Sequence, residues 1–242
     1  MTSLFVLHYF GVHSYVAPIR CQLVLANADW KDEFYAFDET FKDFKDKLPF
    51  GTLPVLYETT VDGETLVIPE SGCIERYLAH KFGQMGANSC QAAQIEMILS
   101  LAQFMFDFSM LSVVMVNNDE LQNKNKKELF EKRLPTWLTH MDKQAVRNGS
   151  NGHLVGDKYT LADTRVICLL DTFVAMDADN TISPQAYPAL FKVKERIDRH
   201  PHYAVYRKSE AFSMMSTREK NYYVSNKLPF DFDKAKFYDY TL

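Results

Sequence analysis

The stretch PFGTLPVLYETTVDGETLVIPESGCIERYL, from Pro49 to Leu78, decides the fold that we expect for this chain of 242 residues. Two apolar runs, Val55 to Tyr57 and Leu66 to Ile68, flank the pair Asp62-Gly63. Asp-Gly between β-prone segments is a strong hairpin signal. An amphipathic run with helical spacing follows the second apolar run. The stretch therefore predicts a strand, a turn, a second strand and a helix, in that order.

Groups at the two ends of this hairpin suit a small ligand. Pro54 opens the first strand, where it need not donate a hydrogen bond to a neighbouring strand. Glu70 and Ser71 stand where the second strand ends and the helix begins, so Ser71 is expected to be the helix N-cap. A helix N-terminus offers free N–H groups and partial positive charge to an anion. The hairpin is therefore predicted to hold a ligand that carries a carboxylate.

Composition is typical of a globular protein with a full core. The chain is 47% hydrophobic, 14% aromatic and 24% charged, which excludes a disordered protein. Its net charge of -4 argues against nucleic acid or an anionic membrane as the main partner. No apolar run approaches the roughly 18 residues that cross a bilayer. The start, MTSLFVLHYF, lacks the basic segment of a secretory signal, so we expect a cytoplasmic protein.

The cysteines and histidines give no sign of a metal site. Cys21, Cys73, Cys90 and Cys168 are widely spaced and form no CxxC pair. Such spacing fits reduced thiols in the cytosol and indicates neither a zinc site nor a disulfide framework. We therefore expect no bound metal.

The first third of the chain predicts a small α/β domain over residues 1–83. Ser3 to Tyr9 and Phe34 to Phe37 are β-prone, and Pro18 to Ala28 between them has helical spacing. A β-α-β order implies that the two strands are parallel. The hairpin and its helix complete the domain.

The strand signals stop after residue 86, and an all-helical domain is predicted over residues 84–212. Ala92 to Val116 and Glu120 to Val146 are long helical runs, the second with a predicted kink at Pro135. Thr160 to Asp163 matches a capping box at the start of a buried helix. A last helix is predicted from His200-Pro201 through about residue 212. An aromatic-rich extension then occupies residues 213–242.

Three motifs, FGTLPVL, PESGCIERYLAHKFG and GDKYTLAD, agree in order and spacing with the cytosolic glutathione transferase family. The chain resembles this family over roughly residues 3–210. The resemblance implies an α/β thioredoxin-like N-terminal domain followed by an all-α domain. The segments HYFGVHSYVAPIR and LPFGTLPVL are most similar to the tyrosine-dependent classes, nearest to sigma.

The resemblance implies an enzyme, a glutathione S-transferase that activates the glutathione thiol. A free thiol has a pKa of about 8.5, so a hydroxyl donor aimed at the sulfur is needed to favour thiolate near neutrality. Tyr9 takes the position of the family's catalytic tyrosine. The serine and cysteine classes would place their reactive residue two before Pro18, where this chain has Val16, so their chemistry is disfavoured. Ser14 and Tyr15 lie close enough to remain alternatives.

The glutathione-binding residues follow from the same resemblance. Leu53, ahead of a cis Pro54, would lend its backbone N–H and C=O to the cysteinyl part of glutathione. Glu70 would meet the γ-glutamyl ammonium, and Ser71 would bind the carboxylate of that residue. A helix cap without a ligand is the alternative for Glu70 and Ser71.

Further contacts are implied farther along the chain. Lys45 matches a lysine that binds the glycine carboxylate, and Phe41 stands where a tryptophan is common. For Lys45 the alternative is a solvated charged face. Phe10 and Phe108 are candidates for an apolar electrophile pocket, although aromatic residues at helical spacing more often belong to the core.

Three positions depart from the family pattern. Tyr15 replaces an arginine that often supports the catalytic tyrosine. Thr52 takes a place often held by glutamine or lysine, and Ser100 falls where an aspartate of the second subunit would reach the γ-glutamyl amine. A non-catalytic binding or structural protein, as in lens crystallins, therefore remains an alternative. A specialised glutathione-dependent isomerase is another.

The partners implied by the resemblance are glutathione as co-substrate, a hydrophobic small-molecule electrophile or a peroxide, and a second copy of the chain. Such transferases serve detoxification and need no cofactor. In the expected homodimer, the Phe50 loop of one subunit would meet the fourth and fifth helices of the other. The extension of residues 213–242 is expected to pack over the helical domain or the electrophile pocket.

Overall fold

The computed structural model describes residues 3–36, 39–116, 118–177 and 179–225, with side chains through residue 220. The N-terminal elements are β1 (Leu4–Phe10), α1 (Ala17–Leu25), β2 (Asp29–Tyr35), α2 (Lys42–Lys45), β3 (Val55–Thr59), β4 (Thr65–Pro69) and α3 (Ser71–Lys81). The helical elements are α4 (Ser89–Ser109), α5 (Asp119–Glu128), α6 (Leu134–Arg147), α7 (Leu161–Met176), α8 (Pro188–Asp198), α9 (Pro201–Tyr206) and α10 (Glu210–Ser225). The expected fold class, an α/β domain followed by an all-α domain, is confirmed.

The four strands form one mixed sheet in the order β2-β1-β3-β4. β1 is parallel to β2 and antiparallel to β3, and β3 pairs with β4 through the predicted hairpin. β2 begins at Asp29, so the prediction of a strand over residues 34–37 started too late. The reason is that β2 is an edge strand of mostly charged residues, which gives no apolar run to detect.

The core of the first domain lies on the face of the sheet that α1 and α3 cover. Alternate residues of β1 point into it, as the two-residue period of a strand requires. These inward residues are Phe5, Leu7 and Tyr9. The helices contribute Ile19, Leu23, Ile74 and Leu78. Tyr9 therefore stands at the end of a packed core, next to the loop that leads into α1.

The second domain packs against the first through α1. Cys21 and Val24 of α1 belong to the same apolar cluster as the inner residues of α4 and α7. Gln22 crosses the junction, and its Nε2 donates to the Glu75 carbonyl at 3.0 Å and to Gln84 Oε1 at 3.1 Å. One continuous core thus connects the two domains.

The predicted disturbance at Pro135 takes the form of a π turn. The run from α5 to α6 is continuous, and the π turn Leu129–Arg133 lies directly before α6, with Pro135 in its first turn. Proline has no N–H to give to the preceding turn, so the hydrogen-bond spacing changes there.

The capping box at the start of α7 is confirmed. The Thr160 backbone N–H donates to Asp163 Oδ2 at 2.8 Å, while Asp163 Oδ1 accepts from the Leu154 N–H at 2.7 Å. Both oxygens of a fully buried carboxylate are therefore used to fix the entry to α7, the central helix of the second domain.

The prediction of one helix from residue 200 through 212 is wrong. α9 ends at Tyr206, and α10 begins at Glu210. Arg207, at the break, donates to Asp171 at 3.0 Å and to Asp198 at 2.7 Å, which ties the turn to α7 and α8. The predicted extension from residue 213 thus starts inside α10, and its aromatic residues beyond residue 220 lie outside the described side chains.

The stretch Ser89–Val114 is long and apolar enough to cross a membrane by length and composition. Half of its most apolar part is buried inside the protein. Its inner residues are Ile95, Ile98, Leu99, Ala102 and Phe106. They belong to the core that α4 shares with α7, so here the stretch is a core helix.

Candidate functional site

The register of the sheet brings Tyr9, Pro54 and Glu70 into one row. Continuing the pairing of β1 with β3 by one residue places Tyr9 opposite Pro54, and continuing that of β3 with β4 places Pro54 opposite Glu70. Neighbouring strands lie roughly 4.8 Å apart. Tyr9, Pro54 and Glu70 therefore lie at the ends of three adjacent strands, along the same edge of the sheet. They are the predicted catalytic residue and two of the predicted binding residues.

Tyr9 is a buried, protonated phenol. Its side chain is 5% exposed. Burial raises its pKa to about 12, although hydrogen bonds from the Ser14 side chain and the Tyr15 backbone, and the charge of Arg20, act in the opposite direction. Near neutral pH this hydroxyl keeps its proton, so it can donate a hydrogen bond to an anion.

The start of α3 differs from the prediction in one respect. Ser71 is the first helical residue rather than the N-cap, which is Glu70 with φ 71° and no hydrogen bond from its side chain to the helix. The Glu70 carbonyl accepts from the N–H groups of Cys73 and Ile74 at 3.0 and 2.9 Å. The exposed Glu70 carboxylate is therefore not used for capping and faces solvent at the end of the sheet.

The peptide bond between Leu53 and Pro54 is cis, as expected. Leu53 is half-buried and packs against both the sheet core and a smaller cluster of Phe41, Leu48 and Val55. These contacts hold the backbone that enters β3 beside the row.

Phe41 and Lys45 both belong to the short helical segment before the hairpin. Phe41 is 4% exposed, and its ring centroid lies 5.2 Å from that of Phe10. It belongs to the small apolar cluster with Leu48 and Val55. Lys45 is exposed, and its Cγ lies 3.4 Å from the position that a Cβ on Gly51 would occupy. The lysine stem thus runs along the loop that leads to Leu53.

The two candidates for the electrophile pocket pack against different apolar clusters. Phe10 packs with Phe41 in the first domain. Phe108 packs against the helical core, and the guanidinium carbon of Arg133 lies 4.2 Å from its ring centroid. The helical period of α4 explains this separation, because Phe108 is one turn from Phe104 on the outer side of the helix.

Sequence reasoning expected the extension from residue 213 to pack over the helical domain or the electrophile pocket, but it did not predict that α10 contacts the loop between β1 and α1. The Glu219 carboxylate accepts the Ser14 backbone N–H at 2.6 Å, and Arg218 Nη1 donates to the Gly11 carbonyl at 3.1 Å. More than 200 residues of chain separate the partners. The local signal was the spacing of Phe212, Met215 and Glu219 on one helical face, which does not reveal what that face covers.

Within the described residues, no group of three or more His, Cys, Asp or Glu side chains could hold a metal ion. All four cysteines are free thiols, with Cys21 and Cys168 buried and Cys73 and Cys90 exposed. The groups that act on the Tyr9 hydroxyl are the Ser14 side chain, the Tyr15 backbone, the Arg20 guanidinium and the Glu219 carboxylate.

Comparison with known proteins decides the family. Residues 106–210 match the family model described as glutathione S-transferase, C-terminal domain. The class-mu 28 kDa glutathione S-transferase isozyme of Schistosoma mansoni is 30% identical over 190 residues, which cover 78% of this chain and 87% of the relative. The chain belongs to the glutathione S-transferase family. The family expected from the three sequence motifs is confirmed.

A crystallin and a solved structure are also similar to this glutathione S-transferase. S-crystallin SL11 of Nototodarus sloanii is 27% identical over 204 residues, covering 84% of this chain and 94% of the crystallin. The structure of a Fasciola hepatica sigma class glutathione S-transferase superposes with a TM-score of 0.72 at 24% identity, covering 87% of this chain and 99% of the other. That structural likeness confirms the fold, including the thioredoxin-like first domain.

Proposed function

We propose that this glutathione S-transferase binds glutathione along the row of Tyr9, Pro54 and Glu70, and that the Tyr9 hydroxyl stabilises the glutathione thiolate. The register that aligns these three residues is the observation that carries the proposal. A pKa of about 12 supports the role of Tyr9, because the phenol stays protonated and can donate to sulfur. Donation to the charged form lowers the pKa of the bound thiol.

The remaining predicted residues fit the rest of the peptide. The exposed Glu70 carboxylate suits the γ-glutamyl ammonium. The N–H groups of Ser71 and Gly72, which precede the first N–H bonded to the Glu70 carbonyl, suit a carboxylate. Leu53 would pair its backbone with the cysteinyl residue. Lys45 carries a mobile positive charge from the side of α2 toward the glycine carboxylate.

The thiolate would then attack a hydrophobic electrophile. In conjugation a bond forms between sulfur and carbon while the leaving group departs with its electron pair. In peroxide reduction the thiolate instead attacks one oxygen, so that an S–O bond forms, the O–O bond breaks and the other oxygen leaves as an alkoxide that takes up a proton. A second glutathione thiol then displaces water from the sulfenic acid and gives glutathione disulfide. The four free cysteines suit a reducing compartment, which supports action in the cytoplasm.

A non-catalytic role is the second candidate, and one observation favours it. Tyr15 stands at the position where related enzymes often carry an arginine, and its ring centroid lies 4.6 Å from that of Phe106 of α4. The Tyr9 hydroxyl thus has a backbone hydrogen bond from residue 15 but no positive side chain there. An S-crystallin among the relatives is consistent with loss of activity on this fold.

We also propose a homodimer. α4 and the π turn that follows it (Met110–Val114) carry an outward apolar stripe of Met97, Leu101, Phe104 and Leu111. Phe50 is 67% exposed and Phe104 is 54% exposed, which leaves aromatic surface for a second copy to cover. Docking of the Phe50 loop against this stripe of the other subunit would bury both.

Turnover of glutathione with a generic aryl halide separates the two candidates. The transferase proposal predicts a rate well above the uncatalysed reaction and measurable glutathione binding by calorimetry. Binding without turnover would support the non-catalytic candidate, and the absence of both would contradict the proposed site.

A further inference from the structure

α10 returns from the helical domain and covers the loop between β1 and α1. Arg218 Nη1 donates to the Gly11 carbonyl at 3.1 Å, and the Ser216 Oγ and His13 Nε2 atoms lie 3.0 Å apart. The Phe212 ring centroid lies 4.5 Å from that of His13. Successive turns of α10 thus contact the loop that follows β1, close to Tyr9 in the chain.

A fourth contact links this helix to Tyr9 itself. Glu219 is 9% exposed, and its Oε1 accepts the Ser14 backbone N–H at 2.6 Å. Ser14 has φ 36°, a left-handed conformation that residues with side chains rarely adopt. The Ser14 side chain in turn hydrogen-bonds to the Tyr9 hydroxyl. One strained residue therefore joins the carboxylate of α10 to the reactive phenol.

We propose that Glu219 is a positioning residue for Tyr9, holding Ser14 in its left-handed conformation and thereby fixing the direction of the Tyr9 hydroxyl. This inference rests on the proposed role of Tyr9 and makes α10 part of the active site. Without the Glu219 contact, Ser14 would relax toward an ordinary backbone conformation. Tyr9 would then lose the neighbour that orients its proton toward sulfur.

The groups around Glu219 make the contact sensitive to pH. The Glu219 carboxyl is faced by Tyr9 of β1, by Arg20 of α1 and by the backbone of His13 and Ser14. Arg218 is its neighbour on α10. Burial raises the pKa of Glu219 to about 7, against the effects of the two backbone N–H groups and Arg20. The pKa of His13 is lowered to about 3 by burial, so its ring stays neutral near pH 7.

The sign of the pH effect follows from the raised pKa of Glu219. A carboxyl whose pKa rises on folding stabilises the docked helix most below its ordinary pKa of 4.5, and that contribution disappears as pH rises through about 7. α10 is therefore held most firmly below about pH 4.5 and loosens as the pH rises toward 7, where the buried carboxyl ionises.

Three variants test the inference. Glu219→Ala removes the acceptor, Glu219→Gln keeps an acceptor that cannot ionise, and Thr217→Ala is a matched control at an exposed position of the same helix. We expect kcat of Glu219→Ala to fall about tenfold with the KM for glutathione little changed, because the proposed peptide contacts lie elsewhere. Glu219→Gln should keep kcat and lose the pH dependence of α10 docking near 7. Thr217→Ala should match the wild type.

Two readouts do not depend on turnover. Hydrogen exchange should show the Ser14 amide protected in the wild type, Glu219→Gln and Thr217→Ala, and unprotected in Glu219→Ala. The NMR signal of isotope-labelled Tyr9 should shift in Glu219→Ala and not in Thr217→Ala. An unshifted Tyr9 signal with an unprotected Ser14 amide overturns the inference, even if the wild type proves inactive and the proposed function fails.

A further variant covers the case in which Glu219→Ala does not fold. Ser14→Ala keeps the backbone bond to Glu219 but removes the side chain that reaches Tyr9, so it should show the same loss of kcat. If Glu219→Ala folds, the double variant should be no slower than either single one, since both act on one contact. If the two single losses of kcat multiply in the double variant, Glu219 and Ser14 act independently, which would contradict the proposed link from Glu219 through Ser14 to Tyr9.

Discussion

Arg165 Nη1 of α7 lies 2.6 Å from Glu75 Oε1 of α3, and both side chains are buried at the junction of the two domains. Arg165 also donates to Gln103 of α4. α3 begins directly after Glu70, at the edge of the proposed glutathione site. The helical domain therefore holds, through one ion pair, the helix whose first turn is proposed to bind the peptide.

Replacing Arg165 by alanine is expected to destabilise the protein by about 3–5 kcal/mol, because Glu75 would remain buried without its partner. Urea unfolding measures the loss. Arg133→Ala is the control, since Arg133 pairs with Glu128 at 2.6 Å on a half-exposed surface, and such pairs contribute about 1 kcal/mol or less. Equal, small losses in both variants would show that the buried pair does not hold the junction.

Tyr9→Phe removes the proposed donor and keeps the ring. A hydrogen bond to a charged group contributes roughly 1.5–3 kcal/mol, so kcat/KM is expected to fall about 10- to 150-fold. Glutathione affinity should change little. Tyr77→Phe is the matched control, because the Tyr77 hydroxyl bonds to Glu58 away from the row. Full activity of Tyr9→Phe would transfer the role to Ser14 or Tyr15.

Glu70→Gln removes the charge that is proposed to meet the γ-glutamyl ammonium. We expect the KM for glutathione to rise about tenfold with kcat nearly constant, since this contact is the same in the ground state and the transition state. Glu64→Gln changes an exposed carboxylate at the opposite end of β4 and should leave both constants unchanged. A fall in kcat alone would argue that Glu70 acts on the reacting atoms instead.

Phe104→Asp places a charge in the middle of the exposed apolar stripe of α4. Light scattering is expected to give a mass of two chains of 28.0 kDa for the wild type and of one chain for the variant. Val205→Asp, at an exposed apolar position on α9, should leave the dimer intact. A wild-type monomer at every concentration would refute the proposed assembly.

Local chemistry made part of this structure readable from the sequence. The hairpin around Asp62-Gly63, the cis bond before Pro54 and the capping box at Thr160 each depend on residues within a few positions of one another. Their physical causes, a turn geometry and a side-chain cap, are complete in the sequence itself. These elements also carry the motifs that identified the family.

Other features depend on distant partners. Ser71 looked like an N-cap by residue type, but the chain turns one residue earlier, at the positive φ of Glu70. The edge strand β2 has no apolar pattern of its own. The contact of Glu219 with Ser14 joins residues 205 positions apart and leaves no local trace. Tertiary packing fixes all three, and the last one determines the surroundings of Tyr9.

The most direct test of the central claim is a crystal structure of the protein with bound glutathione, read for the distance from the glutathione sulfur to the Tyr9 hydroxyl. We predict a sulfur within hydrogen-bond distance of that oxygen, with the peptide following the row to Glu70. A sulfur that instead contacts the Ser14 hydroxyl or the Tyr15 side chain, with Tyr9 out of reach, would contradict the account.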